Sequence, residues 1–462
     1  HHHHPACSSV SPSLVMPTVN IVEVGRVVVP QPEDLVVRLS ALDAPWVANP
    51  LIQRVLLFVD DAGGQQHPPF ESLVASLRAS LAATLARLPP LAGRVVFLRS
   101  TGDAAIDCSG PEGGGGVRFV VAESDDADAR RLAGDADHDV GAFEALVPEL
   151  KVDALPAEVL AVQVTRLKGG VAVGVALHHA VVDGRSVWMF LQAWAASCRS
   201  DDAAAVATVT FDRAVVAIPG GEELARSTLR KYAPNLPLAA NLFPRAPIKL
   251  PRRTFTVTAK HIHQLKQCMS GQTTSGKPAT APMSSSFVAI AALAWASFVR
   301  SKHPAVISAD HDVYVFFFID CRGRRGIDPP VSENYFGTCI TGCLVKAMAR
   351  DLLAVDGVAA AAAAIQREVR RAAEDPLGLW DWMDIVSWVP LDRLVGINGS
   401  TRFKAYEVAD FGWGAPSRTE LVTMTDGRVV LVATKSGGVQ VSVCMHPDHS
   451  TAFNSHFIDS LC

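Results

Sequence analysis

Apolar residues recur along this 462-residue chain at two spacings that take turns. Over residues 71–88 they fall at helical intervals and stop at Pro89-Pro90, which predicts a helix. Residues 171–177 (VAVGVAL) are short, β-branched and preceded by Gly169-Gly170, which predicts a buried strand. A helix is predicted next over 185–198. The second half repeats the scheme, with a helix at 284–301, a strand at 313–319 and a helix at 354–373. Strands at 429–434 and 439–444 and a last helix from about Ser450 complete it. Such alternation predicts a mixed α/β protein.

The pattern breaks down between residues 216 and 251, where Pro219, Pro234, Pro237, Pro244, Pro247 and Pro251 crowd together. Proline at that density favours extended chain. We therefore expect a linker at 216–251 between an N-terminal domain, 16–215, and a C-terminal domain, 252–462. His1 to His4 read as the remnant of a purification tag, so 1–15 is expected to be tag and disordered sequence, with a start at Met16. The glycines at 113–116 lack the Gly-Lys-Ser/Thr of a phosphate loop and read as a surface turn.

Composition narrows the class. With 49% hydrophobic and 19% charged residues the chain can build a large core, which excludes general disorder. A net charge of -4 offers no basic track for nucleic acid. Nine cysteines without a CxxC fit free thiols in a reducing compartment, not a disulfide framework. The most apolar run, 287–299, falls short of the roughly 20 residues that cross a bilayer. The expectation is a soluble, cytoplasmic monomer with no nucleic-acid or membrane partner and no metal.

Candidate chemistry starts where the strand at 171–177 ends. His178-His179-Ala180-Val181-Val182-Asp183-Gly184 joins it to the next helix and contains the chain's one His-x-x-x-Asp. Strand ends are where α/β proteins present reactive groups. A histidine suits a general base that takes a proton as a hydroxyl attacks a carbonyl. Two core histidines satisfying backbone groups would look the same. A metal site of His178, His179 and Asp183 is disfavoured, because adjacent strand residues point to opposite faces. No Gly-x-Ser-x-Gly elbow is present. Further on, Asp410-Phe411-Gly412-Trp413-Gly414 suggests a tight turn around a fixed tryptophan, and a purely structural loop fits it equally well.

Taken together the two segments are specific. The chain resembles the BAHD acyltransferases of plants, which carry HxxxD near the middle and DFGWG near the C-terminus. Asp320-Cys321-Arg322-Gly323-Arg324 with Pro329-Pro330 is similar to a further family stretch. Asn334 to Cys339 and Gly399 to Phe403 resemble the anthocyanin and phenolic-glucoside malonyltransferase branch, with Thr338 standing where that branch's YFGNC has asparagine.

The resemblance extends from about Val19 to the end. It implies two chloramphenicol-acetyltransferase-like domains, each a mixed β-sheet with flanking helices, joined by a long crossover loop. A channel would run between them, with acyl-CoA entering from one side and the acceptor from the other. His179 would be the general base. Asp183 would turn away and pair with Arg322. Asp410, Gly412, Trp413 and Gly414 would support the channel without reacting.

CoA needs basic groups and hydroxyls near a helix start, and the candidates are Arg253, Lys260, Ser284, Ser285, Ser286 and Arg418. No cofactor is expected to stay bound; acyl-CoA, with malonyl-CoA as donor, is a co-substrate, and a phenolic or flavonoid glucoside is the acceptor. A malonyl carboxylate would need a cation, for which Arg185 is the nearest candidate after His179. The alternatives are an aromatic hydroxycinnamoyl or benzoyl donor with another alcohol or amine, a condensation-type domain of peptide synthesis, and a catalytically silent binding relative.

Overall fold

The structure, a computed structural model, describes residues 18–61, 66–109, 115–139, 141–201, 209–239, 250–271 and 285–461. The expected tag and Met16, the glycines at 113 and 114, and Ser284 lie outside the described residues.

Strand-forming sequence is spent on two large mixed sheets. The first runs Asn20–Val27, Val117–Asp128, Leu160–Lys168, Gly170–His178, Leu51–Val59, Arg418–Leu421. The second runs Ile340–Met348, Asp312–Asp320, Leu394–Ser400, Arg428–Ala433, Val439–Cys444, Pro251–Val257, His138–Asp139. A four-stranded antiparallel sheet sits beside the first. Each large sheet takes one strand from the other half of the chain. Arg418–Leu421 pairs antiparallel with Leu51–Val59, Thr419 opposite Leu56, while His138 faces Arg252 on Pro251–Val257.

Every residue of Gly170–His178 is buried, as its unbroken apolar run requires of a central strand. Gly174 is needed there because a Cβ would come within 2.1 Å of the Leu146 carbonyl oxygen. Helices Phe70–Arg87 and Gly184–Cys198 pack together, and the Trp194 indole donates to the Leu77 carbonyl at 3.1 Å. In the other half, helix Ser286–Ser301 is buried without a break from Val288 to Val299. It is surrounded by helices Gly357–Glu374 and Pro447–Asp459 and by the second sheet, which accounts for its apolar run as core. Among the described residues no helix is long and apolar enough to cross a membrane.

The predicted elements all form, most of them with ends displaced by one to three residues. One stretch differs from expectation. Gly221–Tyr232, inside the segment expected to be extended, is a helix. It buries Ala225, Thr228, Leu229 and Tyr232, a single stripe at helical spacing, and carries Glu222 and Glu223 in its first turn and Arg230 and Lys231 in its last. The flanking prolines end it without preventing it.

Candidate active site

The strand Gly170–His178 ends at the seam between the halves, and the six residues after it are fixed from several sides. The His179 N–H donates to the Pro50 carbonyl at 2.6 Å, and its own carbonyl accepts from the Thr338 hydroxyl. Four residues on, Asp183 caps helix Gly184–Cys198 by accepting from the Ser186 N–H at 2.9 Å.

Asp183 does not serve His179 as the acid of a Ser-His-Asp triad would. Its carboxylate takes both arms of the Arg322 guanidinium, at 2.8 and 3.0 Å, and the Cys339 N–H at 3.0 Å. Arg322 completes its fork on the Tyr335 and Gly337 carbonyls and the Ser186 hydroxyl. Neither side chain of the pair reaches solvent. Burial alone would raise the Asp183 carboxyl, but the charge and hydrogen bonds of Arg322 hold it below its ordinary value. A second buried pair grips the same loop. Arg213 donates to Asp43 at 3.1 Å, to the Val181 carbonyl at 2.8 Å and to the Phe336 carbonyl at 2.8 Å. Burial leaves the Asp43 carboxyl above its usual value even beside Arg213.

His179 is oriented by a flat ring. Trp46 stacks on its imidazole with centroids 3.5 Å apart and planes 9° apart. Nδ1 is sealed and makes no hydrogen bond with a described residue. Burial pushes the imidazole down to about 4, against the pull of its own backbone carbonyl and of Asp183, so the ring is neutral at pH 7 and able to accept a proton. Beyond Trp46 the wall is aromatic: Phe318 and Trp382 each lie 5.1 Å from Trp46, and Phe316 lies 5.0 Å from Phe318. His178, facing the opposite way, is buried in the core and pushed down to about 3.

Asp410 to Gly414 folds as a knot on its own backbone. Asp410 Oδ1 accepts from the Gly412 and Gly414 N–H groups at 2.8 and 3.1 Å, and both glycines have positive φ, 119° and 99°. This turn drives Phe411 and Trp413 into the core of the N-terminal half, with Phe411 edge-on to Trp194 at 5.0 Å and Trp413 edge-on to Phe58 at 6.0 Å. Arg199 donates to the Asp410 carbonyl. The segment touches none of His179, Asp183 or Arg322 through a hydrogen bond.

The CoA candidates separate. Arg253 lies over the Phe255 ring at 5.1 Å and lines an open groove of about 310 Å³ with Asn454 and Ser455. Lys260 is exposed in the first turn of helix Ala259–Gly271, which packs on Ser286–Ser301. Ser285 caps that second helix by accepting from the Val288 N–H at 3.2 Å, with Ser286 its first residue. Arg418 is not with them: it is buried, donates to the Ala133 carbonyl at 3.0 Å and pairs with Asp135. Arg185 is held by Glu333 at 2.7 Å and Asp320 at 3.2 Å, one-third exposed. The sequence reading missed Asp43, Trp46, Arg213 and the part played by Thr338. Only the last carried a signal, as the one departure in an otherwise matching motif.

The fold is one of two strand-exchanging mixed sheets, with the neutral His179 at their seam. Vinorine synthase shares it, with a TM-score of 0.71 over 96% of this chain and 98% of that one, at 20% identity. A family model described as the Transferase family matches residues 24–460. The chain belongs to that family, the BAHD acyltransferases, and is an acyl-CoA-dependent acyltransferase. Among named relatives, the malonyl-CoA:anthocyanidin 5-O-glucoside-6''-O-malonyltransferase of Arabidopsis thaliana is 31% identical over 95% of this chain and 97% of its own. A coumaroyl-CoA:anthocyanidin 3-O-glucoside-6''-O-coumaroyltransferase of the same plant is 25% identical over 90% and 91%.

Proposed function

We propose that this enzyme moves a malonyl group from malonyl-CoA to a sugar hydroxyl of a phenolic or flavonoid glucoside, as a cytoplasmic monomer. The observation that carries the donor and acceptor is the 31% identity, over nearly the full length of both chains, to the anthocyanidin glucoside malonyltransferase.

In the proposed reaction His179 accepts the proton of the sugar hydroxyl while that oxygen attacks the thioester carbonyl. The tetrahedral adduct then expels CoA as thiolate, which recovers the proton from the imidazolium. No acyl-enzyme forms. Asp183 acts at a distance, by fixing the loop through Arg322, and Trp46 together with Thr338 sets the ring and backbone of the base. Arg253, Lys260, Ser285 and Ser286 would meet the CoA phosphates.

A second reading, an aromatic donor, is favoured by the Trp46, Phe316, Phe318 and Trp382 wall and by the coumaroyl-transferring relative. Competition between donors on one glucoside acceptor decides. We expect malonyl-CoA to be preferred over p-coumaroyl-CoA and benzoyl-CoA; a tenfold preference the other way would refute the malonyl assignment and leave the aromatic one standing.

A further inference from the structure

His179 lacks the partner that a catalytic histidine ordinarily uses while it holds a proton. In a Ser-His-Asp triad a carboxylate lies against the ring and stabilises the imidazolium. Here the Asp183 carboxylate is filled by Arg322, the Ser186 N–H and the Cys339 N–H. It acts on His179 only from beyond contact, with its charge already balanced. Nδ1 of the ring is sealed and has no hydrogen-bond partner among the described residues. Protonation puts a full positive charge on this ring, which is costly away from water unless something compensates.

What does lie against the ring is Trp46, with centroids 3.5 Å apart and planes 9° apart. Neutral rings prefer an offset stack or an edge, with centroids about 4.5–7 Å apart, over a centred sandwich. The other ring neighbours of Trp46 follow that preference: Phe318 and Trp382 lie 5.1 Å away, tilted by 53° and 43°. A centred parallel stack suits a cation instead, and indole is the strongest of the aromatic faces for one. The arrangement is therefore poor for the resting imidazole and good for the protonated one. An interaction that strengthens as the reaction proceeds is what lowers a barrier.

Trp46 is also built in from behind. It stands on the short helical turn Ala44–Val47, 5% exposed, and its N–H donates to the Asp43 carbonyl at 3.1 Å. The Asp43 carboxylate takes Arg213 at 3.1 Å, the Ser40 N–H at 2.8 Å and the Thr338 N–H at 3.2 Å. Thr338 in turn holds the His179 carbonyl. One buried carboxylate thus fixes both the backbone of the base and the indole stacked on its ring.

We infer that Trp46 is a positioning residue that acts electrostatically through His179, its indole face bearing the positive charge the imidazole gains on taking the acceptor's proton. It plays the part that the carboxylate plays in a triad. The inference rests on His179 as the base. The proton reaches the ring as the hydroxyl O–H bond breaks and leaves it for the CoA thiolate, so the cation–π pair exists only between those two transfers. Its effect belongs to the chemical step and not to substrate binding.

The test alters the charge distribution of the indole and keeps its outline. Tryptophan carrying one, two or four ring fluorines is placed at position 46 by nonsense suppression, each fluorine drawing electrons from the face. Trp46→Phe, Trp46→Leu and His179→Ala accompany the series. Single-turnover rates and half-saturating concentrations are measured on a glucoside acceptor with malonyl-CoA or p-coumaroyl-CoA, whichever wild type prefers, with melting curves alongside. We expect the rate to fall stepwise with fluorine, reaching about 10–30-fold for the tetrafluorinated ring. Half-saturating concentrations and Tm should stay near wild type. Trp46→Phe should lose less than Trp46→Leu. If Trp46→Leu fails to fold, the fluorinated series decides alone. An unchanged rate across the series, or weaker binding in place of a slower step, would make Trp46 a packing or substrate contact and overturn the inference. Near-native turnover by His179→Ala would instead overturn the base itself, which separates the two failures.

Discussion

Two short segments meet the N-terminal sheet, and they are held by opposite means. The loop from His178 to Asp183 is gripped by charge: two buried Asp–Arg pairs, with Arg322 and Arg213 spreading hydrogen bonds over its carbonyls. The turn from Asp410 to Gly414 is gripped by shape, with two positive-φ glycines and two aromatic rings pushed into a core. Ion pairs with a forked guanidinium fix direction as well as place. Apolar packing fixes place and tolerates a similar shape. The segment that must aim a base carries the directional device, and the one that closes a wall does not.

The sharpest break of this contrast is at the base itself. His179→Ala should lose about 10²–10⁴ in kcat while melting near wild type, because the ring's work is chemical. Near-native turnover by the folded variant, read in a thioester-cleavage assay with acceptor present, would end its assignment as the base.

Removing one member of the clamp should cost stability as well as rate. Arg322→Ala leaves Asp183 buried without its partner, and we expect a loss of about 3–5 kcal/mol in denaturant unfolding, together with a fall in kcat. Asp183→Asn should also destabilise. The double variant should be milder than the sum, because both act through one contact; strict additivity would show the pair does not couple. Trp413→Phe, which keeps the shape, should cost less than Arg322→Lys, which keeps only the charge.

Acid should act on the loop before it acts on the turn. The folded pKa values of His178 and His179 lie below the ordinary 6.5, so their neutral forms favour folding. The unfolded chain takes up protons first as pH falls, and stability drops between pH 6.5 and about 3, the His179 share being complete by about 4. His178, fully buried, should contribute on the order of 2 kcal/mol of loss at pH 5. His178→Leu should flatten that part of the stability profile; an unaltered profile would show the ring is not the titrating group. The rate should hold from pH 8 to 6 and fall as His179 protonates near pH 4.

The smallest expected effect is at Thr338. Thr338→Val removes the hydroxyl that holds the His179 carbonyl and should cost about 1 kcal/mol and a few-fold in kcat with KM for CoA little altered. A change in KM alone would move Thr338 from the base to the donor.

Much of this was legible along the chain because it is local. Alternating periods give the α/β class, and His179, Asp183 and the Asp410–Gly414 turn stand in contiguous motifs. What escaped is non-local or masked by its neighbours. Asp43 and Arg213 are 170 residues apart, and neither sits in a pattern. The helix Gly221–Tyr232 has a readable stripe, hidden by the prolines around it. Arg418–Leu421 is four residues, too short to show a strand's alternation. Arg185 is nearest to His179 in sequence, yet Glu333 and Asp320 occupy it.

The exchanged strands also bear on how the protein is made. The open edge of Leu51–Val59 is closed only by Arg418–Leu421, more than 350 residues later in synthesis. While the ribosome works through that interval, the first sheet exists with an apolar border uncovered, of the kind that invites pairing with another chain. Synthesis of the first half alone should therefore give aggregation-prone material. Supplying the second half separately should rescue it only if both halves are present while the border is still free.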